Sequence, residues 1–437
     1  MHDLGTRPWN TAARMRSHPI AALALAASLL LAACGGGGDE QAATIDSTTP
    51  PTTAAPPTST TEVPGPPVSP LTGLILPDEF VRSRPVVAVK FDNVEGKSTP
   101  QVGIGAAEVV YEVPVEGQVT RFLALFQSVD AAPIGPIRSA RGSEIGLLEE
   151  LNRPLFAWHG ANALLDSHVR GSTVVPRSFD DVPHLYYRDG NRKQPYNSFA
   201  LGTAEIRATA PEGSAGPEQP ILRFAQPGEV VPSPHGAPAS TVHIAFPPAF
   251  GAKGGRGTPV RFEWDGSRWI RFQAGHPHVD GADGSQIAVD NVIVRFTNAV
   301  DSGTVDQAGS RVPTAEVVGE GVAWVFSAGR VVGGTWHKPD SFTPTTYRDE
   351  AGGEIVLTPG KTWIALPYGP GSSFQSCGSS PARPAGVASP RRLARTPAPR
   401  PTGCGKRCST PSAASARWTA PWSPTCSPAA ARSASRR

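Results

Sequence analysis

The chain has 437 residues, with 40 lysines and arginines against 37 aspartates and glutamates, a formal charge of +3. Setting aside the 11 basic residues after Pro370, and three basic and one acidic residue before Cys34, leaves 26 basic against 36 acidic, a net charge of −10. An acidic body argues against nucleic acid as a partner, and the lack of cysteine between Cys34 and Cys377 excludes a disulfide, a thiolate nucleophile or a cysteine metal site there.

Residues 20–33, IAALALAASLLLAA, form an apolar run behind Arg14 and Arg16. A helix needs ~20 residues to cross a hydrocarbon core of ~30 Å, so this run is too short to span and suits the core of an export signal. It ends in Leu31-Ala32-Ala33-Cys34 and gives way to GGGGDEQ. The pattern resembles the bacterial lipobox. That resemblance implies cleavage before Cys34, acylation of the cysteine with palmitate-type chains, and tethering at the outer face of the cytoplasmic membrane. Residues 15–34 alone have the proportions of such a signal, which leaves Met1 and Met15 both open as starts.

Residues 35–70 are dominated by Gly, Thr and Pro without apolar periodicity, a composition that reads as a stalk. The body, residues 71–367, has a length that usually means two domains. In its first part, PVVAVKFDN, AEVVYEVPV and TRFLALFQS are rich in β-branched and aromatic residues and predict strands. GSEIGLLEELN predicts a helix with Ile145, Leu148 and Leu151 on one face and Glu149 and Glu150 off it. A short PLFAWHG strand and a helical ANALLDSHVR follow. Residues 71–228 therefore read as a mixed α/β sheet domain.

A Pro/Gly-rich bridge near residues 211–238 precedes short strands with turn signals, and Asp265-Gly266 between VRFEW and RWIRF marks a hairpin. Residues 229–367 read as a mainly antiparallel β domain, so the fold class is α+β. From Gly371 onward there is no acidic residue. Residues 368–437 read as a disordered basic tail, and they resemble the out-of-frame translation of a GC-rich gene.

The candidate site residues are charged. Arg138 and Arg141 flank the start of the helix near Gly142, where cations oppose the helix dipole and so are not placed for helix stability. Gly135-Pro136 sets a turn just ahead, and two guanidiniums beside free amides would cradle a carboxylate or phosphate. The competing reading is internal pairing, with Arg121 and Arg141 facing carboxylates such as Asp92, Glu108, Glu112, Glu116 and Glu144. Arg188, Asp189 and Asn197 lie among aromatics in YYRDGNRKQPYNSF, a composition suited to sugar or peptide contacts. His159 sits where a strand meets the next helix, a usual site position in α/β sheets. HPHVDGAD holds two histidines and two aspartates, but its Asp-Gly pairs read as turns, and no metal is expected. No Gly-x-Ser-x-Gly, His-Glu-x-x-His, phosphate loop or paired-cysteine motif is present, and no cofactor is expected.

PLTGL, RPVVAVKFDN, AAEVVYEVPVEGQVTRFLALFQS, IGPIRSAR and HGANALLDS resemble, in order, the N-terminal domain of the YerB-like bacterial lipoproteins. FEWDGSRWIRFQAGHPHVDGADGSQIAVDNVIV, GTWHK and LTPGKTWIAL resemble that family's C-terminal domain. The resemblance implies a two-domain envelope lipoprotein of a family whose function is unknown. Two functions fit. One is binding of an anionic envelope ligand or partner, such as a peptidoglycan stem peptide, a polymer phosphate or the acidic loop of an envelope protein. The alternative is a hydrolase or transferase using Asp92, Glu116 or His159, with arginines stabilising transition-state charge. The lack of a catalytic motif favours binding.

Overall fold

The computed structural model describes residues 65–375, except 227–228, 230, 232–235, 252–256, 307–308 and 370. The signal with Cys34, the stalk up to residue 64, and the chain from residue 376 lie outside the described residues.

Four short helices form: α1 (Glu79–Ser83), α2 (Ser143–Leu148), α3 (Ala163–Arg170) and α4 (Thr203–Arg207). Each is a local consequence of sequence. In α3, Asn162 caps the start by accepting from Leu165 N at 2.9 Å, Leu165 and Val169 bury one face, and Gly171 ends it. The first half of the body supplies β1 (Val87–Asn93), β2 (Val109–Pro114), β3 (Thr120–Phe126), β4 (Leu155–Ala157) and β5 (Val175–Pro176), then a hairpin of β6 (Tyr186–Arg188) and β7 (Ser198–Ala200). The second half supplies β8 (Ala237–Pro238), β9 (Thr241–Ile244), β10 (Val260–Trp264), β11 (Trp269–Gln273), β12 (His276–Pro277), β13 (Ala288–Val289) and β14 (Asn291–Arg295). A side hairpin of β15 (Ala299–Val305) and β16 (Arg311–Ala315) precedes β17 (Gly319–Ser327), β18 (Arg330–Lys338), β19 (Thr346–Asp349), β20 (Thr362–Ala365) and β21 (Ser373–Gln375).

The main sheet has eleven strands in the order β19-β18-β17-β14-β20-β2-β3-β1-β4-β5, with β8 on β18. A six-stranded sheet, β12-β11-β10-β9-β21 with β13 on β11, packs on one of its faces. Alternation along the strands builds both cores. Val87, Val89, Phe91, Phe122 and Phe126 point at Val242, Phe262 and Trp269 of the small sheet. Val86, Ala88, Leu123 and Leu125 point the other way, at Leu147, Leu148, Leu165 and Val169 of α2 and α3. The fold is α+β, as the sequence predicts.

Several boundaries differ from expectation. The main sheet does not stop at residue 228: β20 inserts between β14 and β2, parallel to both, so both halves share one sheet. The Pro/Gly-rich bridge is partly core, with Ile221, Leu222 and Phe224 buried. The fold starts before residue 71, since Ser69 is buried and Leu76 N donates to Pro67 O at 2.8 Å. It also continues past residue 367. Tyr368 is buried with its hydroxyl donating to Pro114 O at 3.0 Å, and β21 pairs with β9. The Asp265-Gly266 hairpin forms between β10 and β11, with Asp265 Oδ1 accepting from Ser267 N and Arg268 N, 2.7 Å each. On α2, Leu147 is buried in place of Ile145. Glu150 is not off the face: its side chain is buried against Lys338 of β18.

That last contact is one of several buried ion pairs among the described residues. Lys90 of β1 pairs with Glu144 of α2, and Arg271 of β11 with Glu112 of β2. Each joins segments distant in sequence.

Candidate functional site

Strands β1 and β4 run parallel over Val87–Val89 and Leu155–Ala157, and then separate. Residues 134–140 run into the fork and bond to both sides. Asp92 N donates to Pro136 O at 2.9 Å and Arg138 N to Lys90 O at 2.8 Å. On the other edge His159 N donates to Arg138 O at 3.1 Å and Ala140 N to Gly160 O at 3.2 Å. Gly135 permits this path, because a Cβ there would lie 2.5 Å from Cδ1 of Phe199. Ile137 is fully buried beside it, so the backbone of Arg138 is pinned on both edges.

The two arginines then diverge. Arg141 is locked: Nε donates to Glu116 Oε2 at 2.9 Å, Nη2 pairs with Glu116 Oε1, and Nη1 donates to Ala140 O at 2.6 Å. Its side chain is 10 % exposed. Burial acts to raise the Glu116 pKa, but the bidentate Arg141 and neighbouring Arg121 prevail and lower it to about 2. Arg121 is buried, donates to Ser139 O at 3.2 Å, and lies 3.5 Å from Glu116 and 3.7 Å from Asp92. Burial first, then Arg141, push its guanidinium down to about 10. The Arg141 amide at the start of α2 donates to Glu144, which also takes Lys90. The expected cradle at Arg141, Arg121 and the α2 start is therefore occupied by the chain's own carboxylates, and these two arginines are architectural.

Arg138 is different. Asp92 is fully buried, and its Oδ2 accepts from Ser98 Oγ at 2.7 Å and lies 3.4 Å from Arg138 Nε. That approach is not a hydrogen bond: Arg138 Nε and Asp92 Oδ1 both lack a partner among the described residues. The Arg138 side chain is 23 % exposed. Its guanidinium lies 5.8 Å from the centre of the Tyr196 ring, and Lys97 Nζ lies 5.4 Å from the same ring.

His159 follows β4 directly. Its Nε2 faces Arg188 Nη2 at 3.1 Å and its Nδ1 contacts Ser198 Oγ. A guanidinium can only donate, so Nε2 accepts and the ring proton sits on Nδ1. The ring stacks on Phe179, with centroids 4.3 Å apart. Burial, followed by Arg188, lowers the His159 pKa to about 4, with Asp180 opposing. Arg188 also donates to Asn197 Oδ1 at 3.1 Å. Arg192 pairs with Asp189 at 3.6 Å and donates to Ser98 O and Pro100 O at 3.0 and 2.7 Å, tying the tyrosine-rich loop to the turn that carries Lys97. Asp189 itself closes a turn by accepting from Asn191 N at 2.9 Å.

The chain matches two family models, described as the N-terminal domain of a protein of unknown function (DUF3048) over residues 71–215 and its C-terminal domain over residues 252–364. The chain belongs to this two-domain family. It is 27% identical over 306 residues to the Bacillus subtilis (strain 168) protein named "Putative lipoprotein YerB", covering 68% of this chain and 85% of that protein. It also resembles the crystal structure of YerB protein from Bacillus subtilis, with a TM-score of 0.59 and 25% identity, covering 71% of this chain and 99% of that one.

In this member of the DUF3048 family, Arg138, Asp92, His159, Arg188 and Asn197 thus gather at one end of the sheet, while Arg141, Glu116 and Arg121 form a closed knot behind them. Lys97, Phe179 and Tyr196 were not singled out from sequence. Tyr196 lay in a quoted aromatic stretch, but Lys97 sits in a plain turn and only the fold brings it there. Acid–base work by the expected groups is poorly served. Asp92 is fully buried beside Arg121 and Arg138, the Glu116 carboxyl is held low by Arg141, and both His159 nitrogens are engaged. In HPHVDGAD, His278 bonds Arg271 and Gln101, and Asp280 accepts from Gly103 N at 2.9 Å, Gly105 N at 2.6 Å and Ala282 N at 2.7 Å. That stretch is structural.

The His159 geometry makes a direct prediction. Its imidazole should titrate near 4 in a proton NMR titration, and Arg188→Ala should move the midpoint upward toward the ordinary 6.5. A wild-type midpoint at 6.5 would contradict the Arg188-to-Nε2 hydrogen bond.

Proposed function

We propose that the chain is a lipid-anchored protein at the outer face of the cytoplasmic membrane, and that its folded body holds an anionic cell-envelope ligand at Lys97, Arg138 and Arg188. The anchor reading is supported by the lipobox-like Leu31-Ala32-Ala33-Cys34 and by the lipoprotein name of the Bacillus relative. No helix among the described residues is long and apolar enough to cross a membrane. The observation that carries the ligand reading is the open guanidinium of Arg138. Its backbone is fixed on both edges, its Nε lies 3.4 Å from Asp92 without a hydrogen bond among the described residues, its side chain is 23 % exposed, and it lies beside Tyr196 and the Lys97 turn. A positioned cation with unused donors is what an anion site requires.

Two measurements test the two parts. Cys34→Ser should abolish labelling by radioactive palmitate and release the protein from the membrane fraction. For the ligand, full-length protein in detergent should co-sediment with purified cell-wall material. Arg138→Glu with Arg188→Glu should weaken that by at least about tenfold while circular dichroism stays unchanged. Undiminished co-sedimentation of the folded double variant would overturn the binding site.

A further inference from the structure

The cluster's charge and the directions from which its donors arrive narrow the ligand class, an inference that rests on the anion site proposed above. Six cations meet here, Lys90, Lys97, Arg121, Arg138, Arg141 and Arg188, against three buried or half-buried carboxylates. Asp92 lies between Arg121 and Arg138, Glu116 takes Arg121 and Arg141, and Glu144 takes Lys90. Neither Lys97 nor Arg188 has a carboxylate in ion-pair contact among the described residues. The exposed Asp180, which acts on His159, and the exposed Glu95, two residues before Lys97 and bonded to Gln273, lower the local excess but leave the cluster positive. That excess stands on a body whose net charge is −10.

The cations also come from three separate segments, and Arg188, whose Nη1 and Nη2 each donate once to Asn197 and His159, keeps further N–H groups unused. Lys97 is on the turn after β1, Arg138 on the segment filling the fork, and Arg188 on β6. Aromatic faces hold them in place: Tyr196 serves Lys97 and Arg138, and Phe179 lies 5.8 Å from Arg188. A carboxylate has two coplanar oxygens, and a single guanidinium fork satisfies it. Three cations from three directions match the oxygens of a tetrahedral group carrying close to two charges.

We infer that the ligand is a phosphate monoester, its three non-bridging oxygens taken by Arg138, Lys97 and Arg188, as at a terminal or pendant phosphate of an envelope polymer. The test uses full-length protein in detergent and isothermal titration calorimetry with glycerol 1-phosphate, inorganic phosphate and glutarate at one ionic strength. Glycerol 1-phosphate should bind at least about tenfold more tightly than glutarate, and Arg138→Gln should remove about tenfold of that affinity. Lys97→Gln, at an exposed side chain in no hydrogen bond or ion pair among the described residues, should weaken binding too without a risk of misfolding. Glutarate binding as tightly as the ester would overturn the phosphate inference and leave the anion site standing. Inorganic phosphate binding without the ester would overturn the polymer. Binding of none of the three, in wild-type protein that still sediments with cell-wall material, would also overturn the phosphate inference. If sedimentation fails as well, the anion site itself falls.

Discussion

Glu112→Leu is expected to destabilise the protein by ~3–5 kcal/mol, because it leaves Arg271 charged and buried without a counter-ion. Both side chains are fully buried, and Arg271 Nη2 reaches both carboxylate oxygens at 3.0 and 2.9 Å. The carboxylate also accepts from Thr120 Oγ1 at 2.8 Å and Trp363 Nε1 at 2.9 Å, so two further buried donors lose their acceptor. Arg271 cannot retreat to water: its guanidinium lies 4.5 Å from the Trp363 ring and 5.2 Å from Phe122. The double variant Glu112→Leu/Arg271→Leu removes the stranded charge and should recover most of the loss. Urea unfolding of both variants separates the terms, and a single variant within about 1 kcal/mol of wild type would show that the pair carries little.

Acid should weaken the fold through Glu116, and the direction follows from its pairing. Its pKa falls from an ordinary 4.5 to about 2 in the folded state. A carboxyl depressed on folding contributes stability that is fully present above the ordinary value and is lost as pH falls toward the folded one. For Glu116 the window runs from about 4.5 down to about 2, and the contribution is on the order of 3 kcal/mol. Asp130 and Asp181, also held low, add to the same trend, whereas Glu108 and Glu150, raised by burial, act oppositely. The comparison that isolates Glu116 is therefore wild type against Arg141→Gln, each unfolded in urea at several pH values between 6 and 3. The variant should be less stable at pH 6, and the gap should narrow as the pH falls. A gap independent of pH would remove the Arg141–Glu116 pair from the acid response.

Much of the architecture was legible because it is written in local pattern. β1, β3 and the β10–β11 hairpin announce themselves by β-branched alternation and by Asp265-Gly266. The arginine spacing at 138 and 141 is plain in the sequence, and it falls where residues 134–140 fill the fork between β1 and β4. What the residues did not carry was partnership. Nothing near Arg141 says that Glu116, 25 positions earlier, will take it, and nothing near Arg138 says that its Nε will approach Asp92 without a hydrogen bond. The fork filled by residues 134–140 is invisible for the same reason, since its hydrogen bonds are backbone contacts to two strands far apart in sequence. The change of texture near residues 211–238 is real, but a parallel pairing such as β2 with β20 leaves no local mark. At the C-terminal boundary, the basic composition of the tail hid Tyr368 and the three-residue β21.

The position of β20 has a consequence for how the molecule is made. Residues 362–365 are the plank between β2 and β14, and they leave the ribosome long after β2 does. Until then β2 and β14 each present a bare hydrogen-bonding edge, the kind that recruits strands from other chains. A chain of this design therefore passes through an interval, set by the time needed to make about 250 residues after β2, in which the first half is complete in sequence yet open to aggregation and proteolysis. A chain that stopped between β14 and β20 would leave the facing edges of β2 and β14 unpaired.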